Sequence, residues 1–220
     1  MLRASHAAER TTSPAGTGVP APSCRVCGRS VVRPSAVCFC CRLVARQLGL
    51  PLVPTVVVAD YRLGDRRHAG LRGYKDAPTA ALRERFRQEV TDVLAAWLEA
   101  NAVTLAGRLG GWAVVTPVPS TRREGPAPAG GLLDGVPALA DVRLDLLDRG
   151  TARADHLHAR RDGFRLLAGV DRAGLDGLPV LVFDDSVTTG ARSQSAAAAL
   201  RLGGARVVGV LAVGRALPAA

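Results

Sequence analysis

Two adjacent carboxylates, Asp184 and Asp185, are followed within five residues by Thr188, Thr189 and Gly190. An acid pair suits a vicinal diol, because it accepts both hydroxyl protons in charge-assisted hydrogen bonds. A loop of hydroxyls and glycine ahead of a helix offers free backbone N–H groups and the positive end of a helix dipole to a phosphate. Together they imply a ribose 5-phosphate. The elements that must position them are legible on either side. Val180–Phe183 is an apolar run that reads as a strand of a parallel sheet, buried on both faces. Ala196–Leu202 is a run of strong helix formers. The bland alternative makes the acids a helix cap and Thr-Thr-Gly an ordinary turn. It leaves two neighbouring acids at a strand end with no base beside them.

The segment from Val180 to Ala191 resembles the 5-phosphoribosyl-1-pyrophosphate (PRPP) motif of type I phosphoribosyltransferases over about a dozen positions. That resemblance implies that Asp184 and Asp185 hold the ribose hydroxyls. It also implies that Ser186, Val187, Thr188, Thr189, Gly190, Ala191 and Arg192 surround the 5-phosphate. Arg192 departs from the family, where threonine is common, and offers a cation instead.

All five cysteines fall between positions 24 and 41, as Cys24-x-x-Cys27, ten intervening residues, and Cys38-x-x-Cys41, with Cys40 left over. Two such knuckles bring four thiolates to one point and match a tetrahedral structural Zn²⁺ site. A segment this short has no core of its own, so metal binding would supply its folding energy, on the order of 10 kcal/mol. A redox pair or a knuckle that has lost its metal are the alternatives. Four thiolates close the coordination shell, so the metal is not expected to be catalytic.

A cysteine knuckle ahead of a PRPP motif is similar to the competence protein F (ComF-like) branch of the phosphoribosyltransferases. Leu71–Asp76 resembles that family's Tyr-Lys element, and Val115–Pro119 its Val-Pro-Val-Pro segment. The resemblance implies that the loop after this strand, with Pro117, Val118, Pro119, Arg122 and Arg123, meets the pyrophosphate. It also implies that a mobile loop between Leu147 and Leu166 closes over PRPP. Within that loop Arg160–Phe164 is similar to a ComF-like stretch, although the family's asparagine is missing, and Arg160 and Arg161 are the hood candidates. His156 and His158 offer acid–base groups but read more simply as solvated loop residues.

The 220 residues allow one medium domain with a small appendage. The expected division is a disordered tail over 1–23, a knuckle and short helix over 24–50, and an α/β domain over 51–220. Formal charge is +10, from 29 basic and 19 acidic residues, and Lys75 is the only lysine. Such a balance favours anionic partners, or else reflects an arginine-rich coding bias. No apolar run reaches the ~18 residues of a membrane span, and the start lacks a secretory apolar stretch, so a cytoplasmic protein with no membrane partner is expected. No cysteine follows Met1, so no glutaminase half is expected.

Along the chain, the pattern predicts a short helix over Leu43–Leu48, a strand over Thr55–Tyr61 and a hairpin or loop over Arg62–Asp76. A helix opens at Pro78, with Leu82, Phe86, Val90, Val93, Leu94 and Trp97 as its core stripe. Strands are expected over Trp112–Val118, Val142–Leu147 and Arg206–Val213, with a helix over Gly131–Ala140. Strands alternating with helices make a type I phosphoribosyltransferase-like α/β fold, a mostly parallel sheet flanked by helices. Ligands in such sheets bind at the carboxyl ends of strands. The expected activity is transfer from PRPP, with Mg²⁺ on its oxygens, to an unidentified nitrogenous acceptor. A non-catalytic nucleic-acid-binding module linked to DNA uptake, and a PRPP sensor, stay open, as does a homodimer.

Overall fold

The computed structural model describes residues 22–31, 37–122, 125 and 127–217. Its centre is a four-stranded sheet in the spatial order β1 (Thr55–Tyr61), β6 (Arg206–Ala216), β5 (Pro179–Val187), β2 (Val114–Pro117), every pairing parallel. A parallel sheet must be covered on both faces. The pleat of β5 shows how. Leu181 and Phe183 pack with Leu94, Leu98 and Leu105 of the long helix α3 (Ala80–Leu109). Val180 and Val182 turn to the opposite face and meet Ala196, Ala197 and Leu200 of α7 (Ala191–Leu202).

The first helix, α1 (Phe39–Leu48), lays Val44 and Leu48 on Ala191 and Ala198 of α7. Short helices α4 (Gly130–Leu133) and α5 (Pro137–Ala140) join the α3 layer, and α6 (Arg172–Leu175) precedes β5. An antiparallel pair, β3 (Leu147–Arg149) and β4 (Phe164–Leu166), frames the polar segment between them. The expected α/β class, with a mostly parallel sheet, flanking helices and a four-cysteine cluster near the N-terminus, is the one observed. No described helix is long and apolar enough to cross a membrane. Of the expected tail over 1–23, only Pro22 and Ser23 are described.

Four local expectations differ. Arg66–Asp76 is a helix, α2, rather than a hairpin or loop. Its Arg, Gly and His content hides a sound start, the Asp65 carboxylate accepting the His68 N–H at 2.7 Å. Gly131–Ala140 divides into two single turns at Asp134–Val136. Over Val142–Leu147 only Arg143 bridges to Val115, and the regular strand starts at Leu147; the Leu146 N–H donates to the Thr116 hydroxyl at 3.1 Å instead of continuing a backbone ladder. In the α3 stripe Val90 and Leu94 are buried, but Leu82 and Val93 are exposed.

Candidate functional site

Strand β5 carries the acid pair to the C-terminal rim of the sheet, and the pleat sends its two side chains to opposite faces. Asp184 is buried below α7, where Ser193 Oγ donates to its Oδ2 at 3.0 Å and an Arg192 guanidinium nitrogen stands 3.9 Å from Oδ1. Asp184 Oδ1 and Arg192 Nε are both buried and make no hydrogen bond among the described residues. Burial pushes Asp184 up to about 6, against the pull of Arg192.

Asp185 turns the other way. The Tyr74 hydroxyl donates to its Oδ2 at 2.6 Å, and Lys75 Nζ makes an ion pair with the same oxygen. Burial works against this carboxylate too, but Lys75 and Tyr74 outweigh it and hold Asp185 below the ordinary range. Burial, then the Asp185 charge, push Tyr74 far above its usual value, so it remains a donor. Helix α2 delivers both partners through a close approach to α3. A Cβ at Gly73 would lie 2.3 Å from the Phe86 ring, so only glycine permits that contact.

Asp185 opens into a cleft of about 510 Å³. Lys75 and Ser186 share its wall, Val118, Ser120 and Arg122 come from the loop after β2, Arg192 from the start of α7, and Arg153, Asp155 and His156 from the segment between β3 and β4. Lys75, Arg122, Arg153 and Arg192 thus share one space with Asp76, Asp155 and Asp185, a lining of both signs with the cations in excess, which suits an anionic ligand that also carries hydroxyl donors.

The remaining sequence-derived candidates are distributed around this cleft. Pro117 and Pro119 line a neighbouring hollow that shares Ser120, and the Arg192 guanidinium donates to the Pro119 carbonyl at 3.4 Å. Val187, Thr188, Thr189 and Gly190 border a narrow crevice against the cysteine segment. Gly190 has φ 84°, a left-handed conformation that lets the loop turn directly into α7. Ala191 is buried under α1. The Thr189 hydroxyl donates to the His156 carbonyl, tying the loop to the segment above it. Arg160 and Arg161 lie off the cleft: the Arg160 N–H donates to Ser195 Oγ at 2.9 Å, and the Arg161 guanidinium donates to the Leu48 and Gly49 carbonyls at the end of α1. Arg123 lies outside the described residues. Tyr74, Lys75, Ser193 and Arg153 enter the site without having been assigned to it from sequence. Only Tyr74-Lys75, the chain's one lysine inside a family-like element, carried a local signal.

The ligand atoms of Cys24, Cys27, Cys38 and Cys41 all lie within 4.8 Å of one another. Cys27 Sγ and Cys38 Sγ are 3.7 Å apart. A tetrahedron with Zn–S bonds of about 2.3 Å has edges of about 3.8 Å, so this donor set fits Zn²⁺. The Cys38 N–H donates to Cys24 Sγ at 3.3 Å, supporting a thiolate from outside the shell. A hydrogen bond from Cys41 holds Cys27 down to about 5, while Cys41 and Cys38 are pushed up. Cys40 stands outside the group of four and lines the crevice to the Thr-Thr-Gly loop.

Sheet, strand-end acids and a cleft with an excess of cations define an α/β protein with a candidate anion site, next to a four-cysteine cluster that fits a metal ion. No protein-family model matches the chain. Over 91 residues it is 37% identical to the orotate phosphoribosyltransferase of Sorangium cellulosum (strain So ce56), a match that takes in 40% of this chain and 47% of that protein. The chain thus spans about half the length of the curated relative it matches.

Proposed function

We propose that this chain is a phosphoribosyltransferase-type enzyme that moves the ribose 5-phosphate of PRPP onto a nitrogenous acceptor. The observation that carries this reading is Asp185, kept ionised by Tyr74 and Lys75 at a strand end, inside a cleft that also presents Arg122, Arg153 and Arg192. Likeness to a protein named as a phosphoribosyltransferase supports the class. The cysteine knuckle beside such a cleft supports the ComF-like branch within it.

Tyr74 and Lys75 both use Oδ2 of Asp185, and Oδ1 is the atom we assign to the ribose hydroxyls. Residues Thr188–Ala191 and the start of α7 take the 5-phosphate on backbone N–H groups. Arg122 and Arg153 face the pyrophosphate. Asp184 acts one layer below, as the counter-charge that orients Arg192. In the transfer the acceptor nitrogen's lone pair forms the bond to the anomeric carbon, and pyrophosphate leaves with the electrons of the broken C–O bond. The acceptor's proton passes to pyrophosphate or water. Positive charge on the ring is favoured by Asp185, and negative charge on the leaving group by the arginines. Mg²⁺, held mainly by PRPP oxygens, would neutralise the leaving group.

Calorimetry with PRPP and Mg²⁺, followed by ³¹P NMR of pyrophosphate release with orotate and other nitrogen heterocycles, tests this. Wild-type protein binds PRPP, and Asp185→Asn, alone or with Asp184→Asn, weakens binding at least tenfold. Equal affinity in both proteins would overturn the assignment. A nucleic-acid-binding module is the second reading, favoured by the +10 charge. It is supported instead if DNA binds with a steep salt dependence and PRPP does not bind.

A further inference from the structure

The cysteine knuckle and the Thr-Thr-Gly loop are in direct contact. On one side of the crevice stand Cys27, Arg29, Cys40 and Cys41, and on the other Thr188, Thr189 and Gly190. The Arg29 guanidinium donates to the Thr188 carbonyl at 3.2 Å, across 159 residues of chain. Arg29 is two positions past Cys27, so the fold of the knuckle decides where that guanidinium sits. The knuckle is held to the sheet at two further points. The Arg215 guanidinium donates to the Cys27 carbonyl at 2.7 Å while paired with Asp60, and the Thr55 N–H donates to the Val26 carbonyl at 2.7 Å. The second knuckle runs straight into α1, which packs on Ala191, the first residue of α7. Both ends of the loop are therefore braced by the cysteine segment.

We infer that Arg29 is a positioning residue for the phosphate loop, and that metal binding at the four cysteines and anion binding at Thr188–Ala191 are thermodynamically coupled through it. The anion half of this inference rests on the function proposed above. The positioning of the Thr188 carbonyl by Arg29 does not. A metal that orders the knuckle fixes Arg29, Arg29 fixes the Thr188 carbonyl, and the loop's N–H groups are held ready for an anion. Coupling of this kind is reciprocal, so the anion tightens the metal by the same factor.

Zinc-loaded wild-type protein, Arg29→Ala and Arg29→Lys are compared by hydrogen exchange over residues 184–195, by metal content, and by PRPP and zinc affinities. Zinc affinity is read by competition with a chromophoric chelator, with and without PRPP. Arg29→Ala should keep one zinc per chain, exchange faster in the loop, and bind PRPP roughly three- to tenfold more weakly, as expected for one lost hydrogen bond. Arg29→Lys should restore part of both. PRPP should raise zinc affinity in the wild type and less so in Arg29→Ala. Unchanged loop exchange in Arg29→Ala overturns the inference, as does equal zinc affinity with and without bound PRPP. Failure of the wild type to bind PRPP removes the proposed function and the metal–anion coupling with it, while the exchange data still decide whether Arg29 positions the loop.

Discussion

The Tyr74 hydroxyl and Asp185 Oδ2 lie 2.6 Å apart although 111 residues separate them in the chain. This bond joins the last turn of α2 to the rim of β5, so the ionisation of a strand-end acid depends on a helix that packs from outside the sheet. Tyr74→Phe removes the donor and leaves the buried carboxylate short of a partner. Loss of a hydrogen bond to a charged group costs roughly 1.5–3 kcal/mol, to be read as a lower urea midpoint at unchanged slope.

Lys75→Met strips the same carboxylate of its counter-charge. Removing one member of a buried pair costs about 3–5 kcal/mol. Lys75 keeps 25% of its side chain exposed, so the lower end, about 3 kcal/mol, is expected. Without Lys75, burial dominates and Asp185 becomes harder to ionise. PRPP affinity should then fall more steeply as pH is lowered from neutral than it does in the wild type, and calorimetry at several pH values checks it.

Asp184 has the opposite linkage sign. Its folded value is raised, from an ordinary 3.8 to about 6, so the native state binds more protons than the unfolded chain across that interval. Its contribution is complete below 3.8 and is lost as pH rises towards about 6. Asp184→Asn cannot titrate and should remove that fall in stability. Urea midpoints measured at pH 4, 5, 6 and 7 for both proteins decide it, and an unchanged slope between them would sink the assignment.

Gly73→Ala tests the packing that delivers Tyr74 and Lys75. The new methyl would meet the Phe86 ring, forcing α2 away from α3. Overpacking of this kind costs about 1–3 kcal/mol. The Tyr74–Asp185 bond should lengthen with it, so PRPP binding drops even where the protein remains folded by circular dichroism.

At the cysteine cluster one zinc per chain is expected by elemental analysis. Cys40→Ser should retain it, because Cys40 is not among the four clustered thiols. Cys24→Ser should lose zinc affinity by more than the 10–100-fold typical of outer-shell changes, and its melting temperature should fall with it.

Much of the molecule is written locally. Alternation and apolar runs mark Thr55–Tyr61 and Val180–Phe183 as strands, because a strand's burial is encoded by its own side chains. Four cysteines in two CxxC pairs announce their meeting point, since thiolate spacing within a knuckle follows from the backbone turn itself. The two acids and the Thr-Thr-Gly turn likewise stand on one strand–loop–helix unit. Whatever depends on a second element was hidden. Helix α2 disguises itself with Arg and two glycines, and one of them, Gly73, makes sense only against Phe86 of a helix that comes later in the chain. Arg160 and Arg161 share one loop with Arg153, yet only Arg153 reaches the cleft: the Arg160 backbone is pinned at Ser195, and the end of α1 holds the Arg161 guanidinium. The acid pair looks like one feature in the chain, but the pleat and its neighbours give Asp184 to α7 and Asp185 to α2. Short-range pattern therefore determined the four strands of the central sheet, the cysteine cluster and the presence of the acids. Packing between distant elements decided which charges meet, since a side chain's partner is set by how closely two backbones can approach.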